Sequence, residues 1–473
     1  MKSRVMIWPW LPVLSAVLGV AGCAVGPTYE RPQVAQPARW KESTNTLSDR
    51  HLPEAWWRAF GDEELAALEE QAVSANQDFK RAVARVAEAR AIHRASRADL
   101  YPTLSGGQAY SHNRLSENRA NTPPGEVEYD DFSASFDFSY ELDLWGKVRR
   151  GTEAAKADAA TVAWDLQTVL LTLTAEVARN FVLIRSLDHE RTVVESTINL
   201  RADEVALQES RHRAGLIHEV DLMRARTELA VAEAELQSVL RVRSQSEHAL
   251  AVLCGQPAAE FSVARRAETL ALPTFPVGLP STLLEHRPDI VAAEEELKAA
   301  SARIGVAEAA FFPTIKLTGT AGLASADLGT FFNWPSKVGS IGPSIHVPIF
   351  EGGRNRANLK AAEARYEQAV AGYRGRILTA FREVEDALSD LGTLTSQHEA
   401  VGRAMRSARD TAVLANERYQ RGLSSYLEVV DARRAALDAE RQDAQLRGLR
   451  AISTILLAKA IGGGWEESSS VTP

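Results

Sequence analysis

Residues 131–144 alternate without a break. Phe132, Ala134, Phe136, Phe138, Tyr140, Leu142 and Leu144 take the even positions, and Asp131, Ser133, Ser135, Asp137, Ser139, Glu141 and Asp143 the odd ones. Successive side chains of a strand point to opposite faces, so the pattern predicts a strand with one oily face and one acidic, hydroxylated face. Two later segments repeat it. Ile315, Leu317, Gly319, Ala321 and Leu323 alternate with Thr314, Lys316, Thr318 and Thr320; Ile341, Ile345, Val347 and Ile349 alternate with Ser340, Ser344 and His346. The segment after Pro102 is weaker, with Leu104 and Tyr110 as its only bulky apolar members. Polar loops containing Gly or Pro are expected over 116–129 and 324–335. A soluble strand needs about five or six residues, whereas a tilted strand crossing a bilayer needs about 9–11, and these segments match the second length. Four strands cannot close a barrel, and open edges are not tolerated in hydrocarbon. The sheet must therefore be completed by further copies of the chain. Eight strands is the smallest usual barrel, so this pattern leaves two, three or more copies open.

A second periodicity fills most of the remaining chain. Residues 125–256 and 349–472 contain no proline. Leu166, Val169, Leu170, Leu173 and Val177 recur at helical spacing, as do Val370, Tyr373, Ile377, Phe381, Val384 and Leu388. From Lys147 to His212 the pattern predicts roughly 65 residues of helix, about 100 Å at 1.5 Å per residue. No apolar stretch after Cys23 reads as long enough to cross a bilayer as a helix.

The two periodicities come in the same order twice, offset by about 210 residues. Asn76-Gln77-Asp78-Phe79 corresponds to Arg287-Pro288-Asp289-Ile290, and Leu100-Tyr101-Pro102-Thr103-Leu104 to Phe311-Phe312-Pro313-Thr314-Ile315. Trp145-Gly146-Lys147 returns as Gly352-Gly353-Arg354, and His212-Arg213-Ala214-Gly215-Leu216 as Tyr419-Gln420-Arg421-Gly422-Leu423. The expected plan is helix, strand pair, long helix, Gly turn, helix, over 61–256 and again over 281–462. A Pro-rich linker, 257–280, joins the copies, and 463–473 reads as a flexible tail.

The front of the chain is different. Lys2 and Arg4 precede an apolar run over 5–20, which ends in Val20-Ala21-Gly22-Cys23. A basic start, a short apolar core and small residues before a cut site predict an export signal over 1–22. The Val-Ala-Gly-Cys ending is similar to a bacterial lipobox. That likeness implies S-diacylglycerol and an N-acyl chain on Cys23, followed by an extended, lipid-anchored segment over 23–60. Ala24 in second position, rather than Asp, favours the outer membrane.

Composition narrows the function classes. The formal net charge is −8, with Lys and Arg scattered among Asp and Glu, which argues against nucleic acid as a partner. Cys23 and Cys254 are the only cysteines, so neither a disulfide framework nor a cysteine metal site is expected, and Cys254 reads as a buried small hydrophobe. His212 and His218 flank the first Gly turn without metal-ligand spacing, so no metal and no cofactor beyond the lipid is expected. No nucleophile elbow, P-loop or paired catalytic motif is present, which predicts a protein that is not an enzyme.

Several short motifs now carry a resemblance. Residues 23–32, CAVGPTYERP, together with Trp56-Trp57-Arg58-Ala59-Phe60-Gly61-Asp62, Arg287-Pro288-Asp289-Ile290, Phe312-Pro313-Thr314-Ile315 and Pro348-Ile349-Phe350-Glu351-Gly352-Gly353-Arg354, resemble the TolC/OprM-type outer membrane factors, and specifically their NodT-like lipoprotein branch. The resemblance implies a mixed α and β membrane protein: a homotrimer whose four strands per chain close a 12-stranded transmembrane β-barrel, continuous with a long periplasmic α-helical barrel. It further implies a periplasmic adaptor (membrane fusion) protein and an inner-membrane pump, of the resistance-nodulation-division (RND) class, as partners. The implied function is small-molecule efflux across the outer membrane, with type I protein secretion as the alternative. Phe132 and its even-numbered neighbours would then face lipid, and the odd-numbered acids the lumen.

The same resemblance places Gly215 and Gly422 at the periplasmic tip and implies gate roles for Asp221, Tyr419, Glu428 and Asp431. A gate Arg found in the family two residues beyond the second Gly is replaced by Ser424, leaving Arg213, Arg224 or Arg421 as substitutes. Ser425-Tyr426-Leu427-Glu428 also has the spacing of a capping box, which gives Glu428 a purely structural alternative, and Asp431 equally suits a solvated helix face.

Overall fold

The computed structural model describes residues 24–42, 52–116, 127–267, 271–278 and 280–464. The expected signal segment, Cys23, part of the first strand-pair loop and most of the expected tail lie outside the described residues. Eight α-helices are described: α1 (Glu63–Ala75), α2 (Gln77–Ala98), α3 (Lys147–Arg213), α4 (Glu219–Leu253), α5 (Pro280–His286), α6 (Pro288–Ala309), α7 (Arg354–Gln420) and α8 (Tyr426–Ala460). The strands are β1 (Thr103–Arg114), β2 (Glu128–Leu142), β3 (Thr314–Ser325) and β4 (Lys337–His346). α3 and α7 each run 67 residues, and α4 and α8 each run 35.

The chain packs as two compact units, and each draws on both halves of the sequence. Unit 1 comprises Met1–Gln33, Val86–Val162 and Ala293–Tyr373. It holds a four-stranded antiparallel sheet in the order β1-β2-β3-β4. Pro102 and Pro313 stand just ahead of β1 and β3, where a missing N–H removes nothing from the ladder. Register puts the apolar positions on one face. Leu104 lies opposite Phe138 and Tyr110 opposite Phe132, while Leu317 lies opposite Tyr140 and Ile345 opposite Ile315.

β2 ends at Leu142, so Asp143 and Leu144 do not continue the alternating wall as their pattern suggested. A helix start competes for the carboxylate. Asp143 accepts the amides of Val148 at 3.1 Å and Arg149 at 2.8 Å in the first turn of α3, where orphan N–H groups favour an anion. β4 ends at His346, which likewise leaves Val347 and Ile349 outside the strand. Trp145 closes the corner by stacking on Phe312 at 4.7 Å and donating from Nε1 to the Pro313 carbonyl at 2.8 Å. The N-terminal segment lies against the same unit. Val25 donates to the Trp145 carbonyl at 3.1 Å, and Glu294 accepts from Tyr29 and Arg31. Gly26 sits at φ +102°, where a Cβ would come within 2.4 Å of Gly305 Cα, so only glycine allows this approach.

Unit 2 comprises Val34–Arg85, Ala163–Ala292 and Arg374–Pro473. Its main core joins Trp56, Phe60, Leu65 and Leu68 to Phe181 and Ile184 of α3, Leu250 of α4 and Ile455 of α8. Phe275 meets Trp56 and Phe60 edge-on at 6.2 and 6.5 Å. Contrary to the sequence reading, α3 does contain an 18-residue window apolar enough to cross a bilayer by length and composition. Its apolar side chains from Leu173 to Ile184 are spent on this core instead. Cys254 is fully buried there, its thiol directed at the Leu68 carbonyl, and burial pushes its pKa up to about 11.

Candidate functional site: the sheet wall and the paired helix ends

The sheet has two chemically distinct faces. On the odd-numbered face, Thr320 Oγ1 donates to Asp137 Oδ1 at 2.7 Å and Ser135 donates to Asp137 Oδ2 at 3.2 Å. Glu141 pairs with Lys147 at 3.2 Å and Lys316 at 3.7 Å. Such a run of hydroxyls and paired charges is wettable. The even-numbered face carries Phe136, which is 63% exposed, with Leu104, Ile341 and Ile345. This apolar band ends where Tyr110 meets Phe132 at 4.8 Å. Past it stand two ion pairs, His112–Asp130 at 2.8 Å and Arg114–Glu128 at 3.2 Å. Apolar outside, polar inside and charged at the rim is the cross-section of a transmembrane barrel wall. Among the described strands β1 and β4 each pair on one side only, so the sheet has two open edges.

The far ends of the long helices repeat one construction. Gly215 at φ +73° and Gly422 at φ +72° take the left-handed conformation just after α3 and α7. Gly215 and Leu216 donate back to the carbonyls of His212 and Arg211, and Gly422 and Leu423 to those of Tyr419 and Arg418. This is the Schellman ending, which satisfies the last carbonyls and reverses the chain sharply into α4 and α8. A small apolar cluster then ties the two pairs together: Ala225 of α4 with Tyr426, Val429 and Val430 of α8, flanked by Val205 of α3 and Tyr419 of α7. The Tyr419 hydroxyl lies 3.4 Å from Gln208, its ring carries the Arg211 guanidinium at 5.2 Å, and the Tyr426 ring is 5.5 Å away. Burial pushes the Tyr426 phenol up to about 12.

The residues expected at this end do not form one constellation within a chain. Asp221 pairs with Arg224 at 3.5 Å. Of the three substitute cations only Arg224 therefore faces it; Arg421 pairs with Glu417 at 3.8 Å and Arg213 reaches the Glu209 carbonyl. Glu428 and Asp431 are exposed. The capping box does not form. Ser425 has N-cap backbone geometry, but its side chain makes no capping hydrogen bond.

Sequence reading missed the charges behind the tip. Arg201 Nη1 pairs with Glu228 at 2.8 Å with both side chains buried, and Arg434 joins the same carboxylate. Arg433 pairs with Glu204 beside them, and burial lowers the Arg433 pKa. The signal was available: Glu228 follows Leu222 and Ala225 on the buried side of α4, an acid on an otherwise apolar stripe.

The family model for outer membrane efflux proteins matches residues 68–256 and 279–463. The chain belongs to this family. It is 33% identical over 466 residues to outer membrane protein OprJ of Pseudomonas aeruginosa, covering 97% of this chain and 96% of the relative. It is 31% identical over 459 residues to the probable outer membrane lipoprotein SilC of Salmonella typhimurium, covering 96% and 98%. The fold superposes on the solved outer-membrane channel OprN with a TM-score of 0.88 at 30% identity, covering 94% of this chain and all of that one. Outer membrane efflux proteins are channels rather than enzymes and use no cofactor. The open edges of the sheet thus find their partners in other copies: the channel is a homotrimer whose four-stranded sheets close one twelve-stranded barrel in the outer membrane. Its helices extend into the periplasm, where it works with an adaptor and an inner-membrane pump as the outer part of a tripartite efflux system.

Proposed function

We propose that this channel exports small molecules delivered by an RND-class pump, and that it closes at the paired helix ends around Gly215 and Gly422. The matched Schellman ends support this reading most directly. Each end reverses the chain, and the cluster of Ala225, Tyr426, Val429 and Val430, flanked by Val205 and Tyr419, joins the two helix pairs beside them. Asp221, Tyr419, Glu428 and Asp431 act there as gate residues, with Arg224 as the cation facing Asp221. Threefold symmetry repeats each acid three times at a narrow end, where like charges need cations or protonation to stay together. The two halves, 61–256 and 281–462, act as two copies of one plan joined by 257–280, a reading supported by their equal helix lengths. Cys23 carries the lipid that holds the 23–60 segment to the membrane, as the lipobox-like ending and the likeness to the probable outer membrane lipoprotein SilC favour.

The gate is tested by single-channel recording. Tyr419→Phe combined with Asp221→Ala should raise resting conductance and make cells more permeable to large antibiotics. Neutralising Asp431 should weaken block by divalent ions. Wild-type conductance and ion block in these variants would overturn the gate assignment.

A further inference from the structure

Unit 2 contains a cavity of about 440 Å³ between the Trp56–Trp57 turn, α1, α3 and the Gly462–Gly464 stretch that follows α8. Its wall is mainly apolar, with Trp56, Val73, Leu170 and Leu171 among the lining side chains. Two groups in that wall have no explanation in packing. Glu69 is 0% exposed, and neither of its carboxyl oxygens has a hydrogen-bond partner. The Trp57 indole Nε1 is likewise buried and unpartnered. A buried polar group left unpaired is destabilising, and native chains leave few of them without a reason. Among the described residues the other ionisable groups of the lining are Glu54 and Glu70, with no Lys, Arg or His. The Cys254 thiol, pushed up to about 11 by burial and by the Glu69 charge, stays neutral at physiological pH.

From this arrangement we infer that the cavity is a binding site for a small amphipathic amine, with its ammonium on Glu69, its apolar body along Trp56, Leu170 and Leu171, and an acceptor atom toward the Trp57 N–H. A volume of about 440 Å³ falls in the usual range of sites for small organic ligands, about 300–1,000 Å³. The carboxyl oxygens are shut from solvent, and the proposed pairing includes a shift of the side chains that stand between them and the cavity. Binding moves a proton. With burial holding the Glu69 pKa at about 9, the acid is neutral at pH 7, and forming the carboxylate–ammonium pair releases that proton to solvent. Affinity should then rise about tenfold per pH unit while the pH stays below that value.

The test is calorimetric titration of the purified trimer with 1-phenoxypropan-2-amine, which carries an ammonium, an ether oxygen and one ring. Its neutral counterpart, 1-phenoxypropan-2-ol, is the control ligand. The expected result is saturable binding of the amine, one per chain, at least tenfold tighter than the alcohol. About one proton should be released per site, read from the buffer dependence of the heat at pH 7. Glu69→Gln, close in shape and uncharged, should lose at least tenfold in affinity and all of the proton release, and Glu88→Gln on α2 should match wild type. Equal binding of amine and alcohol, or an unaffected Glu69→Gln variant, overturns the inference. So does an absence of saturable binding, the result expected if a side chain of a neighbouring copy fills the cavity. Binding that appears only after removal of residues 465–473 also overturns it, by making the end of the chain the natural occupant.

Discussion

Phe136 and Ser135 are neighbours in sequence and face opposite solvents, so they make a matched pair of probes. Phe136→Lys places a cation against lipid at a cost of about 2–4 kcal/mol near the midplane, and should sharply reduce the trimer band in mild-detergent electrophoresis. Ser135→Lys, on the wet face, should assemble nearly as wild type. Glu69 gives a different single-residue prediction, this time for pH. Its pKa rises from the ordinary 4.5 to about 9 in the folded chain, so the unfolded form releases its proton first. The stability attached to the neutral acid is complete below pH 4.5 and is lost steadily as pH climbs toward 9. Glu69→Gln should flatten the decline in melting temperature across that window. Single residues differ in how well the sequence exposes them. Phe136 and Ser135 were legible because period-two alternation is local. Asp143 obeyed the same alternation and was misread, since the helix start four residues on claims its carboxylate. Gln208 and Arg211, which flank Tyr419, gave no sign of it, because the pairing spans more than two hundred residues of chain.

Among the elements, the helix ends separate two kinds of local motif. The Gly turns were readable from a repeated Gly-Leu after a polar helical run, and the left-handed glycines are there. Gly422→Val forces a branched residue to φ near +72° at a cost of about 1–2 kcal/mol, and should loosen the α7–α8 reversal, seen as faster amide exchange over 415–430. The Ser-x-x-Glu spacing was equally plain and misled. Because the Ser425 hydroxyl caps nothing, Ser425→Ala should leave the melting temperature unchanged, where loss of a working cap would cost about 1 kcal/mol. A spacing states what a segment is able to do; tertiary packing at a crowded helix end decides whether it does. The apolar window of α3 makes the same point at greater length, since composition alone does not distinguish lipid from a protein core as its surroundings.

At the scale of the whole molecule, the two open sheet edges make the solitary chain an incomplete object, and cross-linking in membranes should stop at three copies. A stable folded monomer would contradict closure. Cys23→Ser should still yield trimers, at a lower level in the outer membrane, and mass measurement of the N-terminal peptide should find acyl chains only on the parent protein. Barrel closure was legible because four strands are too few for hydrocarbon, whereas the number three came from resemblance, as no pattern within one chain counts its copies. The core of unit 2 has a further consequence, for the order of events during export. It joins Leu52, Trp56 and Phe60 to Ala451, Ile455 and Ala458, the first and last thirds of the chain. A polypeptide crossing the inner membrane from its N-terminus therefore delivers its large aromatic residues long before the helix that covers them. Until that helix arrives those rings lack their cover, and a chain that stops before residue 451 has no means of completing this core.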